Sequence, residues 1–265
     1  GQQLTAQQAA ALSSIGTSGR RVDLLVGPAG AGKTTAMRAL RTSWARDHGR
    51  ASVVGLAPSA AAAQVLTDDL GIRCENTAKW LDLYDRGHTD FTKGQLVIVD
   101  EATLASTRTL DRLTAIAAKA GAKVLLVGDW AQLQSVDAGG AFALLALARP
   151  DAHELSDIHR FTHEWEKAAS LDLREGRVEA VASYASHERL REGASEEMID
   201  AAYTAWRNDT RQGLDTVLVT EAAETVHALN QRARAERILV GDTDGSREVA
   251  LVGDACASAG DLIIT

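Results

Sequence analysis

The chain is 265 residues long, 45% hydrophobic and carries a formal net charge of −8, with a pI near 5.4. Such a length can bury one large core or two smaller ones, and the acidic balance excludes a broad basic surface, so any nucleic-acid site has to be a local groove. No apolar run approaches the length of a membrane-spanning helix, and the opening segment GQQLTAQQAA lacks the basic and apolar stretches of a leader, so the chain reads as soluble and cytoplasmic. Cys74 and Cys256 have neither C-x-x-C spacing nor a histidine companion, which argues for plain thiols rather than a zinc site or disulfide framework.

In chain order, short β-branched runs predict strands at Val22 to Val26, Ser52 to Ala57, Leu96 to Asp100, Lys123 to Gly128 and Thr216 to Thr220. Ala-rich helical patterns alternate with them. Met37, Leu40 and Trp44 share one face of a helix over 36–47, and the Ala60 to Ala63 tract belongs in a helix. The runs LVIV and VLLV are continuous, as in parallel strands covered on both faces. Residues 162–211 turn helical and strongly charged, so a new unit is expected near residue 156. A helix ending at Gly241 and a last apolar LIIT follow. The pattern predicts an α/β chain.

Gly27, Pro28, Ala29, Gly30, Ala31, Gly32, Lys33 and Thr34 spell G-x-x-x-x-G-K-[ST] directly after the first strand, with Thr35 next in the expected contact set. Glycines let backbone wrap closely around phosphate oxygens, Lys33 supplies a point charge, and the Thr34 hydroxyl can ligate Mg²⁺. The implied ligand is a nucleoside triphosphate. Asp100 and Glu101 end a buried strand, which suits a metal-binding carboxylate and a base that activates water. Gln132 lies in the turn after the next strand, where a neutral amide can sense a phosphate or orient water; an incidental turn residue is the other reading.

Taken together, the ordered motifs resemble the superfamily 1 helicases, and within them the RecD-type modules of conjugative relaxase-helicases. The matching residues are LTAQQ from Leu4 to Gln8 (the glutamine motif), GPAGAGKT, Ala57-Pro58-Ser59 (motif Ia), Asn76-Thr77-Ala78, VDEAT from Val99 to Thr103 (motif II), GDWAQLQSV from Gly128 to Val136 (motif III) and Ile158-His159-Arg160-Phe161 (motif IV). The resemblance implies a RecA-like parallel sheet, ATP and Mg²⁺ as ligands, and single-stranded DNA as partner. It implies that Gln8 reads adenine, Lys33 holds phosphates, Thr34 and Asp100 hold Mg²⁺, Glu101 activates water, Gln132 couples the γ-phosphate to DNA movement, and Arg160 acts as an arginine finger. Gln134 replaces the family's usual proline in motif III, and Ala60 and Ala61 replace a glycine and a basic residue after motif Ia. Motifs V and VI have no counterpart, so nucleotide binding is expected to exceed hydrolysis.

The expected organisation is a RecA-like ATP-binding domain at 1–155 with a small insertion near 78–94, then a helical connector and an incomplete second RecA-like domain at 156–265. The expected function is an ATP-hydrolysing, DNA-translocating motor segment acting in conjugative transfer. It is expected to be monomeric and to meet conjugation-machinery proteins. A P-loop ATPase acting on a protein partner, or a catalytically silent nucleotide-binding module, are the alternatives. Trp80, Tyr84, Phe91 and Trp130 are candidates for base stacking, although the spacing of Trp80 and Tyr84 favours a core. His159 and His163 lack the intervening Glu of a zinc helix, and no H-x-H cluster for nicking chemistry is present.

Overall fold

The computed structural model describes residues 4–132, 139–251 and 256–261. It divides into two compact units, residues 1–187 and 188–265.

In the first unit, α1 (Ala6–Thr17) starts from a capping box in which the Thr5 hydroxyl accepts from the Gln8 amide and the Gln8 side chain accepts from the Thr5 amide. β1 (Val22–Val26) leads through the glycine loop into α2 (Lys33–His48). β2 (Val53–Ala57) is followed by α3 (Ala60–Leu70), capped by Ser59 and closed by left-handed Gly71. Next come β3 (Arg73–Asn76), α4 (Thr77–Asp85) capped by Asn76, β4 (Leu96–Val99), α5 (Thr107–Ala120) capped by Ser106, β5 (Lys123–Gly128), α6 (Ala141–Ala148), β6 (His153–Glu154), α7 (Glu164–Arg174) and α8 (Glu179–Ser186).

The six strands form one parallel sheet in the order β3-β2-β4-β5-β1-β6. The continuous apolar runs are explained by burial on both faces. Leu25, Ile98, Leu125 and Val127 face a core with α1, α2 and α3, whereas Leu24, Val26, Val97, Val99 and Leu126 face a second core with α4, α5 and Phe142 of α6. Ile98 and Leu125 are completely buried, and truncating either to Ala is expected to cost about 2–5 kcal/mol. Trp80 and Phe91 stack at 4.0 Å inside the second core and are 6% and 5% exposed, with Tyr84 half-buried against it; the core expected from the spacing of Trp80 and Tyr84 is therefore found, and Phe91 joins it.

In the second unit, α9 (Ser195–Arg211) and α10 (Ala223–Val240) are joined by Arg207–Glu236 and Arg232–Asp200 ion pairs, with the Arg232 guanidinium 4.1 Å over the buried Tyr203 ring. β7 (Val249–Ala250) and β8 (Cys256–Ala257) pair antiparallel. The strand expected at Thr216 to Thr220 does not form: the segment carries no sheet pairing, and Val217 and Val219 are 86% and 82% exposed. A β-branched run becomes a strand only where a neighbouring backbone takes its hydrogen bonds, and among the described residues none flanks it. The expected LIIT strand lies outside the described residues.

Candidate functional site

The carboxyl ends of β1, β5 and β4 carry the three main motifs side by side, with β5 between the other two. At the end of β1, the Gly27 amide donates to the Gly128 carbonyl at 3.1 Å, tying the glycine loop to the end of β5. Gly30 and Gly32 have φ of +83° and +80°, a region that costs a residue with a Cβ about 1–2 kcal/mol. Space is also short. A Cβ on Gly27 would lie 2.8 Å from the Leu155 carbonyl oxygen, on Gly30 2.7 Å from the Arg160 Cβ, and on Gly32 2.3 Å from the Gln8 Nε2. The motif glycines are therefore the points where two other segments, residues 155–160 and the start of α1 at Gln8, press on the loop.

The Lys33 ammonium donates to the carbonyls of Gly27 (2.6 Å) and Pro28 (3.2 Å). Burial lowers its pKa, while the negative charges of Glu101, Asp129 and Asp100 pull it back up. Thr34 and Thr35 follow in the first turn of α2, both half-buried.

Past β4, the Asp100 carboxylate accepts the Glu101 amide at 3.0 Å. Burial raises the Asp100 pKa, the Glu101 charge adds to it, and the Glu101 amide and Lys33 oppose it. Glu101 sits at φ +48° and opens a tight turn over Ala102–Leu104. A left-handed glutamate is strained backbone held by its surroundings. The sequence offered no sign of it.

Gln132 donates from Nε2 to Asp129 Oδ2 at 3.2 Å. Asp129, only 2% exposed, also accepts the Ala131 amide at 3.2 Å and Arg174 Nε at 2.9 Å. Gln134, Ser135 and Val136 of the same motif lie outside the described residues.

Two adjacent glutamines fasten the remaining walls. Gln8, 4% exposed, accepts from the Thr5 amide and donates to the Gly32 carbonyl at 3.3 Å, leaving one amide hydrogen and one carbonyl lone pair for a ligand. Gln7 donates to Ser156 Oγ at 2.9 Å and accepts the Ser156 amide at 3.2 Å. Sequence reasoning singled out Gln8 and passed over Gln7. The segment that Gln7 holds continues to His159, whose amide donates to the Gly30 carbonyl at 3.0 Å, and to the exposed Arg160, whose aliphatic stem covers Gly30.

The other motif matches serve as scaffold. Asn76 caps α4 and donates to the Pro58 carbonyl at 3.1 Å, and the Thr77 hydroxyl donates to the Ala57 carbonyl at 3.0 Å. A cavity of about 450 Å³ opens beside them, lined by Pro58, Asp82, Asp100, Glu101 and Arg112 among others. Thr34 and Asp100 carry hydroxyl and carboxylate oxygens, the hard donors that a hydrated divalent cation takes. Mg²⁺ is commonly held by one or two protein oxygens and completed by phosphate and water.

Residues 3–195 match the model of a family described as AAA domain. The conjugal transfer protein TraA of Rhizobium radiobacter is 34% identical over 268 residues, which takes in 99% of this chain and 24% of that protein. The ATP-dependent RecD2 DNA helicase of Deinococcus radiodurans is 34% identical over 162 residues, or 59% of this chain and 22% of that one. The chain spans about a quarter of the length of these curated relatives. The crystal structure of Pif1 helicase from Candida albicans superposes with a TM-score of 0.54 at 15% identity, covering 87% of this chain and 61% of that one.

Proposed function

Because the chain belongs to the AAA-domain family, we propose that it is the ATP-binding part of a DNA motor, hydrolysing ATP to ADP and phosphate and, within a longer protein, moving along single-stranded DNA during conjugative transfer. The observation that carries this reading is the convergence on one glycine loop of the Gln8 amide, the motif IV backbone at His159 and, one strand away, the Gln132 turn. A helix-terminal loop suits phosphate, and the motor reading adds roles for the groups around it. Lys33 holds the terminal phosphates, Gln8 offers its remaining amide valences to an adenine edge, and Glu101 takes the proton from attacking water. Gln132 orients that water, and Arg160 brings permanent positive charge to the transferring phosphoryl. Mg²⁺, when bound by Thr34 and Asp100, would neutralise charge on the phosphate oxygens.

Residues 1–155 form the ATP-binding domain with its insertion near 78–94, and 156–265 form a connector and the opening part of a second RecA-like domain. The protein works in the cytoplasm as a monomer, with single-stranded DNA in a local groove and conjugation-machinery proteins as partners. The test is ATP turnover with and without single-stranded DNA, against Lys33→Ala as the blank. Turnover that rises with DNA is expected; absence of ATP binding in a folded parent chain would overturn the reading.

A further inference from the structure

Arg174 has no place in the motifs, yet it is the residue that grips the Gln132 turn from outside. It stands in the last turn of α7, where a cation complements the helix dipole. Its Nε donates to Asp129 Oδ1 at 2.9 Å, its Nη2 to Glu154 Oε1 at 3.0 Å, and its guanidinium lies 4.7 Å over the Trp130 ring. The side chain is only 11% exposed. One planar group thus spans β6, the carboxylate at the end of β5, and the indole beside it, a combination that a flexible ammonium does not reproduce.

The carboxylate is the link to the site. Asp129 uses Oδ1 for Arg174 and for the Ala131 amide, and Oδ2 for the Gln132 side chain. Without the guanidinium, a buried charge would be left with only neutral donors, and such charges reorganise their surroundings until they find a partner or water. The Gln132 side chain is held to that carboxylate by a single bond between a neutral and a charged group. The Lys33 ammonium feels both members of the pair, Asp129 raising and Arg174 lowering its proton affinity.

We propose that Arg174 is a positioning residue that sets the Gln132 amide for ATP hydrolysis by clamping Asp129 and Trp130. The proposal rests on the reading of the site as an ATP hydrolase. It acts on turnover more than on affinity, because Arg174 and Asp129 make no hydrogen bond to the glycine loop among the described residues.

Two readouts separate the clamp from the wider reading. The first is independent of turnover: the Gln132 side-chain NH₂ signal in a ¹⁵N spectrum of the full chain, assigned by its loss in Gln132→Glu. It is expected to shift in Arg174→Ala and in Arg174→Lys, and to stay put in Arg177→Ala, where the neighbouring arginine makes only surface pairs. The second is kinetic: Arg174→Lys is expected to lower kcat at least fivefold while the affinity for ADP stays within twofold. Combining Arg174→Lys with Gln132→Ala should cost no more than Gln132→Ala alone. Arg174→Lys is included because it keeps a cation beside Asp129 if Arg174→Ala fails to fold. An unmoved Gln132 signal in a folded variant, or kcat within twofold of the parent, overturns the clamp. A parent with no turnover above Lys33→Ala would instead strike the hydrolase reading, and the spectrum would still decide whether Arg174 positions Gln132.

Discussion

The His159 amide donates to the Gly30 carbonyl at 3.0 Å, so motif IV is hydrogen-bonded to the phosphate loop within one compact unit. Arg160 follows immediately, and its Cβ, Cγ and Cδ lie closest to the space a Gly30 side chain would need. The conformation of the loop and the aim of Arg160 are one packing problem. Gly30→Ala is therefore expected to lose about 1–3 kcal/mol of stability from the left-handed φ and the contact together, and at least tenfold in nucleotide affinity. Gly16→Ala, where a Cβ meets nothing within 4 Å and φ is not positive, should be neutral or stabilising by up to about 1 kcal/mol. Urea melts and titration with a fluorescent nucleotide measure both, and equal behaviour of the two variants would contradict the packing argument.

Burial lowers the Lys33 pKa below its ordinary 10.5. A lysine that binds its proton less tightly in the fold makes stability rise with pH across the interval between the folded and unfolded values, and costs stability below it. Lys33→Met should accordingly be at least as stable as the parent at neutral pH, with the difference closing toward alkaline pH. It should still lose tenfold or more in nucleotide affinity, since a charged hydrogen bond contributes roughly 1.5–3 kcal/mol. Thermal melts at two pH values would expose the opposite trend if the ammonium were stabilising.

Glu101 holds a left-handed conformation that glycine adopts without strain. Glu101→Gly is expected to keep or raise stability by up to about 1 kcal/mol, after subtracting the greater chain entropy of glycine. Glu101→Gln should match the parent in stability. Both should lose turnover by about 100-fold or more, the usual worth of a general base. Loss of stability in Glu101→Gly would show that the glutamate side chain, rather than its backbone, anchors the turn.

At the amino ends of the strands, Lys123 Nζ lies 2.6 Å from Asp23 Oδ2 and Arg149 Nη2 3.3 Å from Asp23 Oδ1, with Asp23 4% and Lys123 8% exposed. Lys123 also donates to the carbonyls of Ser18 and Arg20. Lys123→Met should destabilise by about 3 kcal/mol, because it strands most of a buried carboxylate's compensation. Adding Asp23→Asn should recover part of the loss. Nucleotide affinity of the folded variant should stay within twofold, since the triad sits at the end of the sheet away from the glycine loop; a larger change in the titration would mean that the two ends are coupled.

The resemblance to superfamily 1 helicase modules and the RecA-like architecture, both drawn from sequence, agree with the matches to the family model and to relatives. They were legible because glycines at φ of +80° and +83° and doubly buried strands leave compositional marks. Other features leave none. β3 reads RCEN and pairs on one side only, β6 is two residues long, and both depend on β2 or β1 for their hydrogen bonds. Arg174 looks like any cation on an amphipathic helix until the sheet brings Asp129 beside it. Conversely, Thr216 to Thr220 carries the local propensity of a strand without a partner among the described residues.

The strand order has a metric consequence. Between the last residue of β1 and the acid pair after β4 stands β5 alone, so the two banks are separated by two inter-strand spacings, roughly 9–10 Å. That separation is set at the level of the backbone. It is measured out by main-chain pairing, which side-chain substitution cannot shorten or stretch. Variation among such chains can retune what lines the gap, but its span belongs to the sheet.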